Sequence, residues 1–238
     1  MSLVLRPERR EDAPGNRAGE NRDGSGTEGY LRRIRGPRET PPLGRDLLTC
    51  AAVVLLGFFL GVFQKWLDGS AFNELPAVFQ RLDVTNFFGR ISIWILLAVV
   101  LSVYAATPLR ASLHTFLFFL SMVSGYYLYC GAVLGFFPRS YAMVWIVLSF
   151  VSPLPAFLCW YARGNGAPAV AISAVILGVL FSQAFALTQG FRMLYLPEAI
   201  VWAVALIVLR REPKSFAAAL LLSLAVALIV PSTLPYWG

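Results

Sequence analysis

The chain has 238 residues, 58% of them hydrophobic and only 14% charged, with a net charge of +7 and an isoelectric point near 9.7. A soluble domain carries about a quarter charged residues, so water is excluded as the solvent of most of this polypeptide. The mean hydropathy of +0.66 points to lipid, and topology explains the basic balance better than nucleic acid does, because Lys and Arg collect on the cytoplasmic side of membrane proteins.

Residues 1–46 are polar and hold ten of the twenty Lys and Arg and eight of the thirteen Asp and Glu. Such a segment buries too little apolar surface to offset its ordering entropy. A disordered, basic cytoplasmic tail is expected, followed by a membrane domain over 47–238. No apolar h-region follows the first basic residues, so no signal peptide is expected. Leu47 onward reads as a retained first span.

Seven apolar runs follow, near 47–67, 90–106, 115–137, 141–162, 167–187, 194–209 and 216–234. They lack period-2 alternation, which favours helices over a membrane barrel. The fold class expected is an all-α, polytopic transmembrane bundle of about seven spans. The second and sixth runs are short for a core of about 30 Å. With the N-terminus inside, the inner segments carry Arg32, Arg33, Arg35, Arg38, Arg45, Arg110, Arg163, Arg210, Arg211 and Lys214. The outer ones carry Lys65, Arg81, Arg90, Arg139 and Arg192. This bias of ten to five follows the positive-inside rule and places the C-terminus outside, with Tyr236 and Trp237 at headgroup level.

The longest connection is 68–89. Phe72, Leu75, Phe79 and Leu82 share one helical face there, Asn73 is a candidate cap and Pro76 fits a first turn. A short amphipathic surface helix is predicted. In the fourth run, Ser152-Pro153-Leu154-Pro155 must kink or break the helix. Gly57 and Gly61 in the first run, and Gly131 and Gly135 in the third with Ser121 and Gly125 ahead of them, mark faces where helices approach closely. Packing within the monomer is the expected use, and a homo- or hetero-oligomer the alternative.

Polar residues gather toward the outer ends of the spans. Gln64, Lys65 and Asp68 close the first, Tyr127 lies in the outer half of the third, Gln183 in that of the fifth, Arg192 follows it, and Glu198 opens the sixth. Polar groups in lipid are costly unless paired or facing a cavity. These seven residues are therefore the candidate substrate-binding set of an outward-facing polar pocket, with Gln183, Tyr127 and Glu198 expected around one cavity. The competing account is interfacial anchoring, which suits Lys65 and Arg192.

Catalysis finds little support. His114 is the single histidine and no His-Glu-x-x-His occurs, which excludes a histidine-rich metal site and the zinc-protease route. Cys50, Cys130 and Cys159 lie in apolar runs without ligand spacing. No catalytic residue, metal or cofactor is assigned, and the chain is not expected to be an enzyme.

Three stretches, Gly125-Tyr126-Tyr127-Leu128-Tyr129, Gly135-Phe136-Phe137-Pro138-Arg139-Ser140-Tyr141 and Cys159-Trp160-Tyr161-Ala162-Arg163, resemble a family of small, uncharacterised bacterial multi-pass membrane proteins. The resemblance covers about 90–190 and implies a bacterial cytoplasmic (inner) membrane, without implying an activity. In architecture the chain is also similar to the substrate-binding subunits of energy-coupling-factor vitamin transporters, from which its seventh run and its tail depart. The resulting expectation is binding or transport of a small solute, with the bilayer as environment and no nucleic-acid partner. The alternative is a non-catalytic membrane subunit that docks a partner through its small-residue faces.

Overall fold

The computed structural model describes residues 25–135, 137, 139–187 and 190–233. Helices make up nearly all of it: α1 (Ser25–Ile34), α2 (Leu43–Gly69), α3 (Ala77–Arg81), α4 (Val84–Gly89), α5 (Ser92–Tyr104), α6 (Pro108–Val133), α7 (Arg139–Val151), α8 (Pro153–Trp160), α9 (Gly166–Ala184), α10 (Leu196–Val208) and α11 (Pro213–Thr233). One antiparallel pair of two-residue strands, Phe185–Ala186 with Arg192–Met193, closes the α9–α10 connection. Five stretches are long and apolar enough to cross a membrane: α2, α6, Ala142–Arg163, α9 and Pro213–Val230. Helices α5 and α10 are apolar but have 13 residues each, about 20 Å at 1.5 Å per residue.

The long helices run alternately up and down. One end of the bundle, here the basic end, holds the starts of α2, α6, α9 and α11 and the ends of α5, α8 and α10. Contacts along the chain fix this arrangement: Asp46 meets Arg110 at that end and Asp68 meets Tyr126 at the far end.

Glycine decides how α2 meets α6. A Cβ on Gly57 would collide with the Phe118 carbonyl oxygen, one on Gly61 with that of Met122, and one on Gly125 with that of Phe58. The expected small-residue contact is therefore made by Gly57, Gly61, Ser121 and Gly125. Gly131 and Gly135 take no part. Gly131 has nothing within 4 Å of its Cβ position, and Gly135, at φ +68°, lies past the end of α6 in the left-handed conformation glycine tolerates. A second seam joins α9 to α11, where a Cβ on Gly178 would lie 2.6 Å from the Ser223 carbonyl oxygen. Ala174, Gly178 and Ser182 face Ala219, Ser223 and Ala227 by i, i+4 spacing, and all but the glycine are among the buried side chains. Between the seams, Leu96, Val99, Leu177, Leu180, Val201 and Ala205 pack α5, α9 and α10 together.

The proline break falls where expected. Pro153 has no N–H to offer the Ser149 carbonyl, and the Ser152 hydroxyl takes its place at 2.8 Å. The helix is interrupted at Ser152 without unwinding, since Ser152 stays in the α region and Ala156 N donates to Ser152 O at 3.2 Å.

Two expectations need correction. The tail is ordered from Ser25, and residues 1–24 lie outside the described residues, as do Tyr236 and Trp237. Helix α1 places Ile34 in a cluster with Ala105, Ala111, Trp160 and Tyr161. The Ile34 carbonyl accepts from Asn165 N at 2.7 Å, and Arg38 N donates to Ala106 O at 2.9 Å. Arg35 stacks over Trp160, 4.2 Å from the ring centroid, and its guanidinium donates to the Trp160 carbonyl and, at 2.7 Å, to that of Val103. It thus satisfies the carbonyl ends of α5 and α8. Burial, with Arg38 and Arg163 nearby, pulls Arg35 down to about 10, still charged at neutral pH. Arg35→Ala is expected to cost about 2 kcal/mol, the upper range for charged hydrogen bonds, and to speed tryptic cleavage at Arg32 and Arg33; an unchanged cleavage rate would refute this anchoring role.

The amphipathic loop helix is also interrupted. Phe72–Glu74 form one 3-10 turn, Pro76 stands just before α3, and Asp83 at φ 51° separates α3 from α4. Leu75 alone of the four predicted face residues is fully buried, so no continuous apolar face forms.

Candidate functional site

A cavity of about 600 Å3 opens between α5, α6, α7 and α8, bounded by the last turns of α2. Along α6 it runs from Tyr127 to Thr115, and along the chain of α5 from Ile91 to Ser102, about 17 Å of depth at 1.5 Å per residue. Sequence spacing explains why these helices present walls to it. Ile91, Ile95, Ala98 and Ser102 recur on one face of α5, and Thr115, Phe119, Met122 and Tyr126 on one face of α6. From α7 and α8, Leu148, Ser149, Ser152 and Pro155 line it.

The wall is apolar over most of its area, with polarity at two levels. At the far end Gln64, Asp68, Tyr126 and Tyr127 gather. Tyr126 donates to Asp68 Oδ2 at 2.8 Å, and Lys65 sits 5.2 Å over the Tyr126 ring. The rim is braced by the Phe88 carbonyl, which accepts from Gln64 Nε2 at 3.2 Å and from Trp94 Nε1 at 2.9 Å. At depth the polar groups are hydroxyls: Ser102 Oγ and Thr115 Oγ1 lie 3.4 Å apart, and Ser149 and Ser152 bond to carbonyls of their own helix. Such a space suits a molecule with an apolar body and a small polar head.

The seven predicted residues divide. Gln64, Asp68 and Tyr127 line the cavity, and Lys65 flanks its mouth through Tyr126. Gln183 is 7% exposed and belongs to the face of α9 that carries Ile176 and Leu180, but it does not line the cavity. Glu198 is fully buried in a separate cluster at the far end. It accepts from Arg90 Nε, while Arg90 also reaches Asp83 Oδ2 at 3.3 Å and lies 4.0 Å over the Tyr195 ring. Arg192 is exposed on its strand. Gln183, Tyr127 and Glu198 are therefore not gathered around one cavity: Tyr127 lines it, while Gln183 on α9 and Glu198 on α10 lie outside its lining, although Ile176 of α9 reaches it.

Sequence reading missed Ser102, Thr115, Ser149 and Ser152. Isolated hydroxyls in apolar helices resemble ordinary packing residues, and only Ser152, beside the prolines, carried a signal. Among the described residues no group of three or more His, Cys, Asp or Glu could hold a metal ion. No protein-family model matches the chain, and neither a curated protein nor a solved structure matches it.

Proposed function

We propose that the chain is a membrane-embedded binding protein, and a candidate transporter, for a small amphipathic molecule held in the cavity between α5 and α8. The observation that carries this reading is the cavity itself: about 600 Å3, apolar through its depth, with Gln64, Asp68, Tyr126 and Tyr127 at one end. The proposal includes seven spans, with α5 and α10 crossing where lipid thins or tilts around them. It places the basic end in the cytoplasm of a bacterium, as the ten-to-five charge bias supports, so that the cavity opens outward.

Asp68 and Tyr126 are a hydrogen-bonded titratable pair in a cleft, the minimum an enzyme would need. Asp68 is exposed at the mouth, however, and the cavity body offers it hydroxyls alone. We read the pair as recognising a polar head, not as acid–base machinery. The partner-docking alternative retains Gly131, exposed and uncrowded, and loses Gly135, which is not on a helix face.

The test uses protein reconstituted in nanodiscs, where no detergent competes for the cavity. Ligands that bind the folded state alone raise stability by about 2.7 kcal/mol at a hundredfold excess over Kd. Single-chain amphiphiles with hydroxyl or amine heads are expected to raise the melting temperature, and hydrophilic solutes of equal size are not. Ala98→Trp, which projects an indole into the cavity, is expected to abolish the shift. Equal shifts in wild type and variant would refute the assignment.

A further inference from the structure

The basic end carries a second pocket, of about 280 Å3, between the starts of α2 and α6 and the end of α5. That is roughly nine waters' worth of liquid at 30 Å3 each. We propose that this pocket binds a phosphate group, either a free phosphate or the headgroup of an anionic lipid in the adjacent leaflet.

The pocket contains unspent hydrogen-bonding groups. His114 lines it with 7% of its surface exposed, and its Nε2 has no hydrogen-bond partner among the described residues. Arg110 stands one turn earlier on the same face of α6. Its Nη2 pairs with Asp46 Oδ2 at 3.0 Å, while its Nη1 is buried without a hydrogen-bond partner among the described residues. Thr49 spends its hydroxyl hydrogen on the Arg45 carbonyl at 2.9 Å and so offers the pocket no donor. A buried guanidinium N–H left unmatched costs more than a matched one gains, so these two nitrogens favour an acceptor that reaches both.

The surrounding charge selects the acceptor's sign. Two helices begin at the pocket, α2 at Leu43 and α6 at Pro108, and helix starts favour anions. Arg38 is tied to the Ala106 carbonyl, Arg163 stacks 5.0 Å over Tyr104, and Arg45 precedes Asp46. Ala106, Tyr104 and Asp46 are all pocket residues. In the lining itself Arg110 stands against Asp46, with Arg38, Arg45 and Arg163 on adjoining residues outside it. Asp46 occupies one edge of Arg110 and leaves the other for a ligand. Basic pockets between helices at the cytoplasmic surface are where lipid phosphates bind. Phosphate answers this pair better than a carboxylate does, because its several oxygens can meet Arg110 and His114 together.

The outer cavity plays no part in this inference, which stands or falls separately from the ligand proposed there. Because His114 is the single histidine of the chain, selective 15N-histidine labelling gives one imidazole to observe. Protein in phosphatidylcholine nanodiscs is titrated with inorganic phosphate against chloride at equal ionic strength, and separately prepared in discs with rising phosphatidylglycerol. A saturable shift of the His114 ring nitrogens with phosphate alone assigns a soluble phosphate ligand; a shift with phosphatidylglycerol assigns a headgroup. Arg110→Gln is expected to weaken either midpoint at least tenfold, and Leu43→Ala, which keeps every polar group named, to leave it unchanged. Failure of both probes to move the wild-type signal overturns the proposal whatever the variants do, as does a titration that Arg110→Gln leaves intact.

Discussion

Gly61→Leu is expected to prevent α2 from seating on α6. At Gly61 an added Cβ would run into the Met122 carbonyl, with that carbonyl's carbon at 2.8 Å and Tyr126 N at 3.0 Å. All three are backbone atoms of a helix, so no rotamer change clears them. Helix α2 would have to withdraw along its length, and the close dispersion contacts that hold helices together in lipid would go with it. Overpacking in a flexible core costs about 1–3 kcal/mol; against rigid backbone the loss belongs at or above the top of that range. The damage reaches the cavity, since Gln64 and Asp68 ride on α2 and the Asp68–Tyr126 bond is made across the same seam. Gly131→Leu is the matched control. With nothing within 4 Å of its Cβ position, it is expected to change stability by less than about 0.5 kcal/mol. Thermal unfolding of the two variants in one lipid composition makes the comparison, and equal melting temperatures would refute the seam.

That contrast also shows what was readable without coordinates. Spacing alone put Gly57 and Gly61 on one face, because residues four apart stack on a helix. On α6 it offered one stripe, Ser121, Gly125, Gly131 and Gly135, and left open which part of it would answer. The choice depended on where α6 ends, and Gly135 falls beyond its last turn. The α9–α11 seam escaped notice because Ala174, Gly178 and Ser182 lie among so many alanines, glycines and serines that no face stands out. Helix α1 was hidden by averaging: the tail is polar overall, yet Leu31 and Ile34 lie one turn apart and meet Trp160 and Ala105 on elements far along the chain.

Some arginines carry a role beyond the topology assigned to them. Each was counted as a marker of topology, which needs only its charge. Arg211 instead donates to the carbonyls of Ala162 and, at 3.2 Å, Ala169, and to Ser173 Oγ at 2.6 Å. Burial lowers its basicity while these acceptors surround it. With Arg35 it closes the carbonyl-rich ends of helices at the basic end. Backbone acceptors have no sequence signature, so neither role was visible in the residues themselves. The cavity was legible in its mouth, where Gln64, Asp68 and Tyr127 interrupt apolar runs, and illegible in its depth, where Ser102, Thr115 and Ser149 are isolated hydroxyls among apolar residues.

The Arg90–Glu198 pair yields the other large effect, and its size depends on which partner is removed. Glu198 is fully buried in the first turn of α10, whereas the Arg90 side chain is 16% exposed and has Asp83 and Tyr195 as further partners. Arg90→Ala strands a carboxylate whose Oε2 already has no hydrogen-bond partner among the described residues, and breaking a buried pair in this way costs about 3–5 kcal/mol. Glu198→Ala leaves a cation that can turn to Asp83 and solvent, and is expected to cost less. Replacing both, as Arg90→Met with Glu198→Leu, should recover much of the loss, because desolvation of two charges offsets most of their attraction. Arg90 also lies between Gly89 and Ile91, both on the cavity wall, so the apolar pair keeps the rim packed but frees it from α10. The double variant should therefore melt near wild type and still bind the cavity ligand more weakly. A double variant as unstable as Arg90→Ala would mean that the pair specifies the α5–α10 contact through its charge, and that the hydrophobic contacts among Val99, Val201 and Ala205 do not suffice to hold it.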